Sequence, residues 1–476
     1  MLPRLVLVSA ILVLLSGCRR EHQLTTTSAD AVRSYRQGVL QYEKFNYSDA
    51  KALFEQAVRA DSGFAMAWTR LAIVEMAIKD EPLAREYSTR AVRSSDGAGE
   101  RERLFIRMWD ERLRYDAKAA AATADSLAVR YPDEKEVYLF RGNLYELGKN
   151  YDAAIKSYQR AIQADTGYAL AVMSLGYAYS AIGEQEKSIA QMERYIRLAP
   201  REPDPLASYA DILLRAGKFE EALEQYGKSL ALKPDYWYSI RQIGNIYAIK
   251  GRLKDAQERF EASFKLLPEN RQLEATRYQA EAVLEMQRGR YAEAVTLYQK
   301  ALDIDTISVE AEYGLAAALS KLEKHAEAHA VVERVLAEFR RRELHQSPAM
   351  AGYFYIRSVV LMEEGNLAGA LALCDSAFNY TVPLSRGAIF RQMGEIELRE
   401  KSFEQALWAC EEGLAVNPNS PDILLTLTRV YSAKGDRKMT SEIGGRLLAL
   451  WNNADPDFLH RREVLALVGR TAAARL

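Results

Sequence analysis

The chain is predicted to be all-α, an α-solenoid of about twelve helix-turn-helix units closed by a final helix. Three observations predict this. The first is a frame of 34 residues, numbered from Lys135, that can be laid along the chain with starts at 31, 65, 101, 135, 169, 203, 237, 275, 309, 351, 387 and 421. Its position 20 holds Ala50, Ala84, Ala120, Ala154, Ser188, Ala222, Ala256, Ala294, Ala328, Ala370, Ala406 and Thr440, ten alanines in twelve. That constancy marks a packing position shared by every unit. The second observation is periodicity. Tyr138, Arg141 and Tyr145 share one face of a first helix, and Ala154, Tyr158 and Ala161 one face of a second, because i, i+3 and i+7 align at about 3.6 residues per turn. Small residues at positions 8 and 20 (Gly142 and Ala154 here) are expected to face each other and let the axes approach. The third observation is punctuation. Pro132, Pro200, Pro234, Pro268 and Pro418 stand at position 32, where proline cannot continue a helix. Gly183, Gly217, Gly251, Gly289, Gly365 and Gly435 stand in the turns between helices, as a left-handed helix stop asks. No stretch alternates with a period of two, so no sheet is expected.

Residues 1–17 read as a signal peptide. Arg4 precedes an apolar run, Leu5 to Leu15, broken only by Ser9. The run is too short to span a bilayer, which takes about 20 helical residues. The stretch that follows, Leu15-Ser16-Gly17-Cys18, resembles a bacterial lipobox. The resemblance implies that Cys18 becomes an acylated N-terminus holding the protein on a membrane, where each buried CH₂ contributes about 0.8 kcal/mol. Arg19 follows rather than aspartate, which resembles an outer-membrane address, facing the periplasm. Residues 18–30 are polar and read as the lipidated N-terminus and its tether.

The array is expected over 31–454. Units 4 to 8 match the frame best. Unit 3 lacks the turn glycine, units 9 and 10 are looser, and unit 12 carries Gly444 where position 24 is elsewhere larger. Extra residues enter at 99–100, 271–274, 343–350 and 385–386, and the stretch around 340–350 is the expected joint. Residues 455–476, with Phe458, Leu459, Val464, Leu467 and Val468, read as one amphipathic helix that caps the last exposed face.

The 34-residue spacing and these residue types resemble the tetratricopeptide (TPR) repeat. The resemblance implies a right-handed superhelix with first helices on the concave side. In peptide-binding members, positions 2, 5, 9, 12 and 13 face inward. Here they include Val32, Tyr35, Val39 and Tyr42; Met66, Ile73 and Met76; Phe105, Trp109 and Leu113; Leu139, Asn143 and Leu147; and Leu170, Met173 and Tyr177. Such an apolar run marks either a partner groove or packing against the tether and neighbouring helices. The expected groove residues are Tyr35, Tyr42, Met66, Met76, Phe105, Trp109, Leu139, Asn143, Met173 and Tyr177. Further along, the inward positions turn polar, with Asp211, Arg215, Arg241, Asn245, Lys321, Arg391, Glu395, Arg399 and Arg429. Arg241 and Asn245 imitate the first pair of the family's two-carboxylate clamp, but Ala280 stands where its second asparagine belongs.

Nothing points to catalysis. There is no Gly-rich phosphate loop, Ser-His-Asp signature or Cys-x-x-Cys. His325 and His329 sit in HAEAH, which misses the H-E-x-x-H metal pattern. Cys374 and Cys410 recur at position 24 of adjacent units, where about 10 Å would separate them, beyond disulfide reach. Neither cofactor nor metal is expected. The 64 basic and 65 acidic residues balance, so nucleic acid is not an expected partner. The expected function is a membrane-anchored envelope scaffold that takes a protein partner, as an extended segment or a helix, in the concave groove. The alternative is a regulatory lipoprotein that activates a cell-wall or envelope enzyme by contact. A second copy could join at the terminal faces of the stack.

Overall fold

The computed structural model describes residues 24–473 apart from 79, 115, 268, 270, 307, 342–348 and 382–385. The signal peptide, Cys18, the first part of the tether and most of the 343–350 joint lie outside the described residues. Among the described residues there are twenty-five α-helices and no strand. They run as twelve pairs and a last helix, so the protein is an all-α solenoid. The first helices of the pairs are Ala29–Glu43, Ala65–Ala77, Glu100–Leu113, Lys135–Leu147, Ala169–Ala181, Asp204–Arg215, Trp237–Ile249, Arg271–Arg288, Val309–Lys321, Met350–Glu364, Arg386–Arg399 and Pro421–Lys434. The last helix is Leu459–Ala473. Ahead of the eighth repeat, the extra residues 271–274 are helical. They add a turn to the helix Arg271–Arg288, whose Leu273 is buried.

Two compact bodies divide the chain. One comprises Met1–Tyr42 and Asn46–Asp110, the other Glu43–Phe45 and Glu111–Leu476. All twelve position-20 side chains are fully buried. The glycine at position 8, however, meets position 24 rather than position 20. A Cβ at Gly142 would lie 2.3 Å from the Tyr158 ring, one at Gly38 2.6 Å from Phe54, and one at Gly244 2.8 Å from Phe260. Each ring therefore occupies the space a side chain at position 8 would need. In the twelfth repeat the sizes are exchanged, with Thr428 at position 8 and Gly444 at position 24, where a Cβ would lie 3.5 Å from the Thr428 methyl. Gly444 leaves room for Val464 and Val468 of the last helix to close on it, which explains the missing large residue.

The turns are more uniform than their glycines suggest. Six use glycine at positive φ, and four others place Phe45, Lys149, Glu323 and Lys401 at φ 58–63°. The hydrogen bonds show why. Gly251 N donates to Ala248 O and Arg252 N to Tyr247 O (3.0 and 2.8 Å). Lys149 N and Asn150 N do the same to Glu146 O and Tyr145 O (2.8 Å each). This is the Schellman closure, which needs one left-handed residue whatever its side chain. Asn150 then caps the next helix by accepting from Ala153 N, as Asp80, Asp116, Asn366 and Asp436 do in theirs.

Within the C-terminal body the array returns onto itself. Lys149 Nζ, in the turn of repeat 4, donates to Tyr380 O at the end of repeat 10 (2.6 Å). Asn417 and Asn419, ending repeat 11, donate to Arg215 O and Ala216 O in repeat 6 (3.1 and 3.4 Å). Trp451 Nε1 and Asp455 N, ending repeat 12, donate to Ile249 O and Gly251 O in repeat 7 (3.0 and 2.9 Å). Asp455 also accepts from Lys254 N (2.9 Å), and Asp457 pairs with Arg288 and Arg290 of repeat 8. The last carbonyls of a helix have no partner within it. At Arg215, Ala216 and Ile249, residues five repeats later supply the donors. Phe458 and Trp451 share a core with Leu253, Ala256 and Phe260, so the seam is apolar beneath its polar rim.

Gly251 serves both as a turn residue and in the seam. Its φ is +72°, and a Cβ would stand 2.5 Å from the Phe458 ring. Gly435 has the same conformation with nothing within 4 Å. Gly251→Ala is therefore expected to cost about 1–3 kcal/mol more than Gly435→Ala in denaturant unfolding, and to raise hydrogen exchange in 451–458. Equal costs would show that the seam contributes nothing. Lys401 is exposed and left-handed, so Lys401→Gly is expected to stabilise the protein by about 1 kcal/mol in the same assay.

Candidate interaction surface

In the N-terminal body the helix Ala65–Ala77 is enclosed on nearly all sides. Arg70 lies inside it. Its Nε donates to Tyr35 Oη (3.1 Å), and its guanidinium sits over the Tyr35 and Phe105 rings at 5.7 and 5.3 Å. A cation held against ring faces keeps favourable electrostatics where water is excluded. Tyr35 packs on Phe54 and Phe64. Met66 is 1% exposed, and Tyr35, Phe105 and Trp109 are likewise buried. These four expected groove residues are core of this body, because neighbouring helices cover the apolar face that the inward register predicts. Tyr42, packed on Tyr47, and Met76 are half-buried and remain accessible.

In the C-terminal body Leu139 is buried, Met173 and Tyr177 are half-buried, and Asn143 is exposed. Asn143 accepts from Tyr158 Oη (2.9 Å), which also lies 2.7 Å from Glu146. Tyr177 Oη donates to Asp211 (2.9 Å) and is one of several donors there. Tyr238 reaches the same carboxylate at 2.7 Å, Gln242 at 3.2 Å, and Tyr226 also donates to it. Two turns earlier on the same helix, Asp204 accepts from Tyr195 (2.9 Å), Tyr236 (2.8 Å) and Ser208 (3.3 Å). Burial raises the Asp204 carboxyl above its ordinary value, and these three donors oppose the shift. Burial beside carboxylates pushes the Tyr195, Tyr226 and Tyr236 phenols far up, so they stay neutral donors. Arg215 lies over the Tyr177 ring (5.3 Å), and Arg241 over Phe264 (6.0 Å). Asp204 and its tyrosines escaped sequence reasoning because Tyr195 and Tyr236 come from separate repeats. The spacing of Asp204 and Asp211, seven apart on one helix, was the available signal.

The inward charges of the later repeats satisfy one another. Arg429 pairs with Glu395 (2.5 Å) and Glu463 (2.6 Å), and Glu363 takes both Lys321 (2.7 Å) and Arg399 (2.8 Å). Burial works to raise the Glu395 carboxyl, but Arg429, Thr426 and Arg391 outweigh it and hold it below the usual range. This tract is a paired structural network, unlike the Met173–Tyr177–Arg215 surface.

His329 Nε2 meets Glu364 (3.0 Å). Among the described residues no group of three or more His, Cys, Asp and Glu side chains could hold a metal ion. Nor, among them, is any helix long and apolar enough to cross a membrane. Cys374 and Cys410 are free and buried, and Cys374 lies 3.3 Å from Ser358 Oγ. Burial pushes their thiols up to about 11 and about 12.

Tetratricopeptide repeat profiles match residues 35–99, 116–169, 173–236 and 241–306, and a further one matches 285–347. Together they cover more than half of the chain, which belongs to the tetratricopeptide repeat family. Human tetratricopeptide repeat protein 13 is 28% identical over 24% of this chain and 14% of its own length. Anaphase-promoting complex subunit 3 of Schizosaccharomyces pombe is 26% identical over 28% of this chain and 20% of its own. The chain thus spans a small fraction of these relatives. Among solved structures, a tetratricopeptide repeat protein of Parabacteroides merdae aligns at 19% identity and TM-score 0.38, over 54% of this chain and 97% of that one. Yeast Tom70 aligns at 14% identity and TM-score 0.39, over 94% and 95%. The protein is accordingly a protein–protein interaction scaffold.

With thiols so far above neutral pH, roughly one in a thousand or fewer is ionised at pH 8. A Cys18→Ser variant is expected to show no fast thiol with Ellman's reagent when native and two when denatured. Rapid native reaction would mean that the hairpins open at repeats 10 and 11.

Proposed function

We propose that this scaffold is a lipid-anchored protein of a bacterial cell envelope, held on the outer membrane facing the periplasm, that binds a protein partner on the inward face of its first helices. The anchor rests on Leu15-Ser16-Gly17-Cys18. The binding face rests on one observation. Met173 and Tyr177 stay partly exposed beside the Arg215 guanidinium, while the inward charges of later repeats are paired. Met, aromatic and Arg side chains are the types enriched in interfaces, and they supply the anchors of binding energy. An extended segment or a helix would lie along this face. Tyr42 and Met76 are the corresponding accessible side chains of the N-terminal body.

A second reading is a regulator that activates an envelope or cell-wall enzyme by contact through second helices. Trp408 favours it. This residue of the helix Phe403–Val416 is 50% exposed and stands edge-on to Phe390 (5.9 Å), which packs on Phe378.

In-cell photocrosslinking from position 173 is expected to capture one dominant envelope protein, lost with Tyr177→Glu. Capture only from position 408 would replace the groove reading with the regulatory one. Capture from neither would sink both.

A further inference from the structure

We propose that the N-terminal body presents one particular end of its hairpins to a lipid bilayer: the end bearing the 61–64 and 94–99 loops. The proposal rests on the lipid-anchor reading above and adds an orientation to it. The polar stretch before the first helix is not a free tether throughout. Thr25 N donates to Glu102 Oε1 (3.2 Å), Thr25 Oγ1 bonds the same carboxylate, and Gly99 N donates to Thr25 Oγ1 (3.2 Å). Glu102 is 2% exposed, so this bond is set into the body and not laid on its surface. Thr26 Oγ1 bonds Asp61, and Ser28 Oγ accepts from Ala31 N (3.2 Å), capping the helix Ala29–Glu43. The chain is thus pinned at two consecutive residues to the two inter-repeat loops of the body, and both loops lie at one end of the hairpins.

The free length before the pin is short. Six residues, 19–24, separate Cys18 from Thr25. Fully extended, seven links reach about 25 Å. An acyl group on Cys18 sits in the bilayer, so the pinned end lies within about that distance of it, whatever path those residues take. The helix Ala65–Ala77 rises about 20 Å from the loop end to Ile78. The loop end therefore cannot leave the neighbourhood of the lipid surface, whereas the Ile78 end can stand up to about 45 Å from it, and the loop end is the one assigned to face lipid.

The test uses the full-length protein purified from membranes of an expressing bacterium and reconstituted into phosphatidylcholine vesicles carrying a headgroup-labelled acceptor lipid. Donor dyes go on Gly97→Cys or Ile78→Cys. Gly97 is exposed with nothing within 4 Å of a Cβ, and Ile78 is 48% exposed. The native thiols Cys374 and Cys410 are buried and stay unlabelled. Energy transfer to the lipid is expected to be at least about twofold greater from position 97 than from 78. Thr25→Val with Thr26→Val, which removes both hydroxyl pins and leaves only the Thr25 N–Glu102 bond, is expected to narrow the difference between the two positions. Equal transfer in the parent protein, or greater transfer from 78, overturns the orientation. An unchanged difference in the double variant overturns the pin as its cause. Failure of the protein to float with vesicles, with no acyl mass on Cys18, would instead remove the lipid anchor itself.

Discussion

The structure depends on a complementarity of size between positions 8 and 24 of each hairpin. Hairpins of 34 residues have too little sequence between their helices to bury an apolar face unless the two axes come close. Tyr158 on Gly142, Phe54 on Gly38, Phe260 on Gly244 and Met192 on Gly176 are the same solution reached four times. Where the large partner shrinks, the small one relaxes with it. Cys374 is met by Ser358, whereas Cys410 still faces a glycine, Gly394. Close-packed interiors tolerate such exchanges when summed volume is kept. The buried alanines at position 20 are the second condition, since they let the helices meet beside the ring.

Exchange of the pair at the end of the array has a structural consequence. Gly444 turns the last hairpin into a seat for the final helix, and the residues leading into that helix, Asp457 and Phe458, enter the seam with repeats 7 and 8. A solenoid ordinarily gains stability from neighbours alone. The C-terminal body adds contacts across about two hundred residues, from Ile249 O to Trp451 and from Arg215 O to Asn417. The donors end at helix carbonyls that would otherwise face water or nothing, so the seam both closes the body and completes its turns.

Inward polarity is then a matter of pairing. Asp211 and Asp204 are carboxylates dressed by phenols, which stay donors because burial suppresses their ionisation. Arg429 and Glu363 are each bound twice. A charge so satisfied has little to offer a partner. Arg215, set over a tyrosine ring on the accessible face, has more.

The linear sequence determined the helical class, the hairpin period, the buried position 20 and the turn glycines, because each is a local rule repeated every 34 residues. It also carried Leu15-Ser16-Gly17-Cys18, the stretch on which the proposed anchor rests. It did not distinguish groove from core at Tyr35, Met66, Phe105, Trp109 and Leu139. Inward register is a property of one helix, whereas burial depends on how closely the next one lies. Nor did it reveal the left-handed Phe45, Lys149, Glu323 and Lys401, since the Schellman bonds impose that conformation on residues with no preference for it. The seam and the acid–phenol clusters join residues from different repeats, and only the accumulated rotation of one hairpin on the next brings those residues together.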